Sequence, residues 1–146
     1  MATPRFFEDL SIGMSAEARR SVSEADVAAF AAVSGDHNPV HVDEVYAAAS
    51  PFRARIAHGA LIASFVSALM AAELPGPGAI YVSQTTNFRR PVKLGDEVTT
   101  KVSIAALDPV KSYATMAFIS SVAGKTVMDG EALLIVPRRR RARAEA

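Results

Sequence analysis

The segment Ser34-Gly35-Asp36-His37-Asn38-Pro39-Val40-His41 places a carboxylate and an imidazole five residues apart, with Asn38-Pro39 marking a turn between them. That spacing is not helical, and a turn of this kind can bring Asp36 and His41 together from the end of one helix and the start of the next. A base and an acid held around one water is an arrangement for proton transfer, because imidazole changes charge near neutral pH and burial tunes a carboxylate beside it. Taken alone, the residues fit a blander arrangement equally: a turn-forming Asp that accepts backbone N–H groups, and a packed His with one hydrogen bond. Asp and His at this spacing, with no third ligand nearby, make poor metal ligands, and no metal is expected.

His58-Gly59 stands just before an apolar run, which puts the Gly59 N–H at a helix N-terminus, where unpaired amides and the helix dipole favour negative charge. Such an amide suits an oxyanion hole, for example for a thioester carbonyl becoming an enolate, although tight packing alone also explains a glycine there. Asn87-Phe88-Arg89-Arg90-Pro91-Val92-Lys93 sets three cations at the end of a strand, where they meet either phosphates or water. Other schemes fail on inspection: there is no Cys, no Gly-x-Ser-x-Gly elbow, and no Walker or Gly-x-Gly-x-x-Gly loop.

Several elements must position these groups. Ser23 with Asp26 three residues on is a capping-box pattern that opens a helix with Val27, Phe30 and Ala31 on one face, and Ser34-Gly35 ends it. Asp43 caps a short helix over Glu44 to Ala49, closed by Pro51. Leu61, Ile62, Phe65, Val66, Leu69 and Met70 recur at helical spacing between Gly59 and Leu74, with small residues in most other places, so this helix is apolar nearly all round. Pro75 to Gly78 stops it. Beyond Ala79 the pattern turns to β: IYVSQTTNF, EVTTKVSIAAL, SYATMAFISSV and TVMDGEALLIV, read as four strands in succession forming an antiparallel meander, with an early strand around Met14 to Val22. A sheet wrapped round the apolar helix, an α+β fold, is the economical burial.

The chain has 146 residues, 50% of them hydrophobic and 21% charged, enough for one domain with a real core and too little charge for a disordered chain. Residues 138–146 hold five Arg and one Glu, leaving eleven basic and fourteen acidic side chains in residues 1–137. A folded part that is mildly acidic argues against nucleic acid as partner. The expected division is a single domain over 1–137 and an Arg-rich, solvated and disordered tail over 138–146. The run Ala60 to Ala72 is too short to span a bilayer, and the start of the chain has no export signal, so a cytoplasmic protein without membrane contact is expected.

The string Phe30-Ala31-Ala32-Val33-Ser34-Gly35-Asp36-His37-Asn38-Pro39-Val40-His41, followed by His58-Gly59, then Phe88-Arg89-Arg90-Pro91-Val92 and Gly95-Asp96, resembles the MaoC-like (R)-specific enoyl-CoA hydratases, or hydratase 2 family. The likeness extends over about residues 7–137. It implies the hot-dog fold, a curved antiparallel sheet wrapped round a long central helix, and homodimers whose sheets join. The implied reaction is reversible syn addition of water to a trans-2-enoyl thioester, giving the (R)-3-hydroxyacyl thioester without a cofactor. By resemblance, Asp36 acts as base on the water, His41 orients that water and serves as proton partner for C2, and the Gly59 N–H holds the thioester oxygen. Phe88 matches a position beside the CoA moiety. Asn38 fixes the substrate-contacting loop, Ser64 and Ser67 are pocket-lining candidates, and Arg89, Arg90 and Lys93 suit CoA phosphates or an acidic carrier protein. The competing readings are a (3R)-hydroxyacyl dehydratase acting on acyl carrier protein, a non-catalytic acyl-thioester-binding hot-dog subunit, and a thioesterase. The Arg-rich end departs from compact members of the family.

Overall fold

The computed structural model describes residues 3–140. Strand β1 (Ser15–Ser21) leads into helix α1 (Glu24–Ser34), the short helices α2 (Pro39–Val42) and α3 (Glu44–Ala49), and the long helix α4 (Gly59–Ala72). Strands β2 (Ile80–Phe88), β3 (Glu97–Asp108), β4 (Tyr113–Val122) and β5 (Lys125–Ile135) follow. All pairings are antiparallel. This is the α+β hot-dog architecture.

Local chemistry sets the helix ends. The Ser23 hydroxyl accepts from the Asp26 N–H and the Asp26 carboxylate accepts from the Ser23 N–H, both at 3.0 Å, forming the expected capping box. Gly35 ends α1 with φ 78°, a left-handed conformation that a residue without Cβ adopts freely, and the reversal delivers the chain to Asp36. Asp43 accepts from the Tyr46 N–H at 2.9 Å and starts α3.

Helix α4 buries Leu61, Ile62, Val66, Leu69 and Met70. Alternate residues of β3 and β4, among them Val102, Ile104, Met116 and Phe118, join them in one core. Each such side chain contributes about 1.5–3 kcal/mol on burial, which makes this layer the main source of stability. Thr100 and Ser120, opposite each other on β3 and β4, are also buried, and their hydroxyls satisfy one another at 3.1 Å.

Two expectations need correction. The strand order is β1-β3-β4-β5-β2, so only β3, β4 and β5 form a meander, and β2 pairs with β5 instead of β3. The cause is the segment after β2. Arg89 donates its N–H to the Val127 carbonyl, Ala57 to Val92, and Gly95 to Val22, at 2.7–2.8 Å, so this segment crosses from one sheet edge to the other and cannot turn back as a hairpin. The long helix is also covered on one face only, with Ser64, Ser67, Ala68 and Ala71 exposed on the other. Small side chains on that face make the helix read as apolar all round.

The two edges differ. β1 carries Glu17, Arg19 and Arg20, whereas the nine residues of β2 carry no charge and expose Ile80, Tyr81 and Val82. At the C-terminal end, Arg139 pairs with Asp9, and Arg138 and Arg139 stack over the rings of Phe7 and Phe6. The rest of the expected disordered tail, residues 141–146, lies outside the described residues.

Candidate active site

Asp36, His41 and His58 each present a carboxylate oxygen or ring nitrogen, and these atoms lie within 4.8 Å of one another. The Asp36–His41 loop is a chain of side-chain caps. The Asp36 N–H donates to the Ser34 hydroxyl at 3.1 Å, the Asn38 N–H to the Asp36 carboxylate at 3.1 Å, and the Val40 N–H to the Asn38 side-chain oxygen at 3.3 Å. Asp36 thus forms a turn and still offers an exposed carboxylate. The turn-forming reading of this residue is thus met, and the geometry leaves its carboxylate open to solvent beside His41.

The stretch Arg55 to His58 ties that loop down. The His41 Nδ1 lies 2.7 Å from the Ile56 carbonyl, which only accepts, so Nδ1 carries the hydrogen and Nε2 is the nitrogen left for chemistry. The Ile56 N–H donates to the Val40 carbonyl at 3.2 Å. The buried Arg55 donates from Nε to the His41 carbonyl at 2.7 Å and reaches Glu24 at 2.8 Å and Glu44 at 3.5 Å, joining α1, α2 and α3. Burying a guanidinium is tolerable there because carboxylates and a carbonyl engage it.

A cavity of about 580 Å³ opens beside these groups, with His41, Gly59, Ile62, Phe88, Arg89 and Met128 among its walls. The Leu61 and Ile62 N–H groups donate to the His58 carbonyl, so the amides before them, those of Gly59 and Ala60, have no intrahelical acceptor. A Cβ at Gly59 would stand 2.7 Å from the exposed Phe88 ring, so any side chain there would displace that ring from the cavity wall. Arg89 grips Asp129 with two bonds of 3.0 and 3.1 Å, and this hydrogen bonding holds the Asp129 carboxyl below its usual range.

The structure thus brings His41, Gly59, Phe88, Arg89 and Arg90 to one cavity and Asp36 beside His41. It does not bring the rest. Asn38 spends its side-chain oxygen on the loop, Ser64 donates to the Leu61 carbonyl at 2.6 Å on the exposed face of α4, and neither Ser64 nor Ser67 lines the cavity. Lys93 is exposed, with its N–H on the Asp96 carboxylate at 2.8 Å, and lies outside the cavity walls. Sequence reasoning missed Arg55 and the His58 ring. The available signal for Arg55 was one charged side chain in the otherwise apolar stretch Ala54 to Ala57. The His58 ring, stacked on His41 with centroids 3.9 Å apart and tilted by 30°, also supplies the third potential metal ligand beside Asp36 and His41 that the sequence spacing did not show, which corrects the expectation of no third ligand nearby.

The family model described as "MaoC like domain" matches residues 9–126. The chain belongs to the MaoC-like family. Among curated MaoC-like relatives it is similar to the (R)-specific enoyl-CoA hydratase of Rhodospirillum rubrum, at 48% identity over 92% of this chain and 93% of that protein. The 3-hydroxybutyryl-CoA dehydratase of Methylorubrum extorquens is 47% identical over 94% of this chain and 87% of that protein. The solved structure of the R-hydratase PhaJ1 from Pseudomonas aeruginosa superposes with a TM-score of 0.87 at 43% identity, covering 97% of this chain and 94% of that one. No helix among the described residues is long and apolar enough to cross a membrane.

Proposed function

We propose that this MaoC-like protein is an (R)-specific enoyl-CoA hydratase, a hydro-lyase that adds water reversibly and syn across a trans-2-enoyl-CoA. The observation that carries the reading is the meeting of Asp36 and His41, within 4.8 Å together with His58, at a cavity edged by the N-terminus of α4. The water gives its hydroxyl to C3 and a proton to C2, so only a base, an acid and an oxyanion donor are needed. His41 Nε2 and Asp36 hold the water between them; the pair takes one proton from it as the hydroxyl adds to C3 and returns one proton to C2, so that it ends each addition in its starting state and titrates as a coupled unit. The Gly59 N–H receives the thioester oxygen as it gains enolate character. Water adds with no net oxidation or reduction, and an acid-base pair with an oxyanion donor suffices for it, so the reaction calls for no cofactor. Phe88 and Arg89 face the CoA moiety at the cavity wall, and a CoA thioester is supplied inside the cell, which fits a cytoplasmic enzyme.

The uncharged, exposed β2 edge supports a homodimer joined strand to strand along it, since such an edge is a template for pairing. Sedimentation at micromolar concentration is expected to give twice the chain mass.

The test of the reaction is loss of enoyl thioester absorbance with crotonyl-CoA and octenoyl-CoA, followed by chiral analysis of the product. (R)-3-hydroxyacyl-CoA is the expected result. Turnover confined to the acyl carrier protein thioester would move the assignment to a carrier-dependent dehydratase, and no turnover of either by folded protein would leave a binding subunit.

A further inference from the structure

His58 touches both members of the acid-base pair, and nothing in the reaction just described uses its side chain. It is 2% exposed. Its Nε2 lies 2.9 Å from the Asp36 main-chain carbonyl, and because a carbonyl only accepts, Nε2 carries the hydrogen. One face of the ring backs the His41 imidazole with centroids 3.9 Å apart, and Phe30 of α1 leans on the ring at 4.8 Å and 54°. Nδ1 is buried and has no hydrogen-bond partner among the described residues, although His58 is the N-cap of α4, where a capping side chain would bond a helix amide.

That unsatisfied nitrogen bears on what the side chain is for. A buried acceptor without a donor destabilises the fold, so a residue chosen for packing alone would be Phe or Leu, which fill the space and leave no orphan. Histidine at this place has one feature those lack: a donor at the far edge of a flat ring. We propose that His58 is a positioning residue for the hydration step, its Nε2–H pinning the Asp36 backbone while its ring face sets the plane of His41. The inference rests on Asp36 and His41 being the acid-base pair. It assigns the spacing between them to one side chain anchored at the first turn of α4, the same turn that offers the Gly59 amide. Base, acid and oxyanion donor would then share one rigid support.

The test compares His58→Gln with His58→Met by steady-state crotonyl-CoA hydration and thermal melting. The two replacements have nearly the same shape, and only Gln can donate to the Asp36 carbonyl. A displacement of one ångström in a reacting group can cost about 100-fold in rate, so His58→Met is expected to lose roughly 30- to 100-fold in kcat with KM within about threefold of wild type. His58→Gln is expected to recover most of that loss, with the same melting temperature as His58→Met. Equal kcat values for the two folded variants would overturn the proposal, and so would His58→Met retaining wild-type kcat. If neither variant folds, His58→Phe decides: a folded Phe variant with wild-type kcat, or a third failure to fold, assigns His58 to structure and also overturns it. Wild-type protein that turns over no enoyl thioester fails the hydratase reading itself and takes the inference with it; active wild type with indifferent variants fails the positioning role alone.

Discussion

The stretch from Asp36 to Gly59 and the layer made by the sheet and α4 are held by different forces. The first is a mesh of polar ties: carbonyls of Asp36, Val40, His41 and Ile56 each have a named donor, from His58, Ile56, Arg55 and His41 in turn. The second is apolar contact between α4 and alternate residues of β3 and β4. Directional bonds fix angles at modest net stability, whereas buried hydrocarbon supplies stability with little say over angles. On the proposed mechanism, activity and stability reside in separable parts of the chain, and substitutions can tell the two apart.

The largest effect belongs to Asp36→Asn, which keeps the oxygen that accepts from Asn38 and removes the proposed base. Hydration is expected to fall about 100- to 10,000-fold in kcat with an unchanged melting temperature; a fall in both would break the separation. Met70→Ala is the mirror image. It empties space beneath a fully buried helix position and should cost about 2–5 kcal/mol in denaturant unfolding, while kcat per folded molecule stays within about twofold. Gly59→Ala tests the boundary between the regions. Its new Cβ meets the Phe88 ring at 2.7 Å, and since that ring is 60% exposed it can swing aside. The variant should fold, lose turnover, and regain part of it when Phe88→Ala is added, a non-additivity read from the double variant.

The smallest effect concerns the capping box. Backbone hydrogen bonding from Ser23, aided by the Arg20 side chain, holds the Asp26 carboxyl below the usual carboxylate range. A carboxylate depressed in the folded state adds stability above its unfolded pKa and loses it as pH falls through the folded one. Asp26→Asn should therefore cost about 1 kcal/mol near neutral pH, and in melts the gap to wild type should begin to narrow near the unfolded pKa and close only below the lower, folded one.

How much of this was legible in the sequence follows from which forces leave a local pattern. The capping box, the αL glycine and the cap at Asp43 are bonds between residues two to four apart, and each was readable from spacing. The strands were readable from their alternation, but their order was not, because it is decided by a crossover whose partners, Val22, Val92 and Val127, are remote in sequence. The Asp36–His41 loop was legible for the same local reason as the caps. Arg55 and the His58 ring were not, since the bonds that give them meaning span 14 and 22 residues. Ser64 and Lys93 were nominated from proximity in the chain to the right neighbours, and helix phase and loop direction turned both away from the cavity.

β2 ends at Phe88, and the residues that follow without a break, Arg89 and Arg90, form part of the cavity wall. A second subunit laid along that strand would steady the wall from outside. A higher enzyme concentration would then raise the population of the assembled form by mass action, and a substrate that prefers that form would do the same. Turnover per chain should consequently decline on dilution along the same curve as sedimentation mass, and substrate should hold the assembly together at concentrations where the empty protein comes apart.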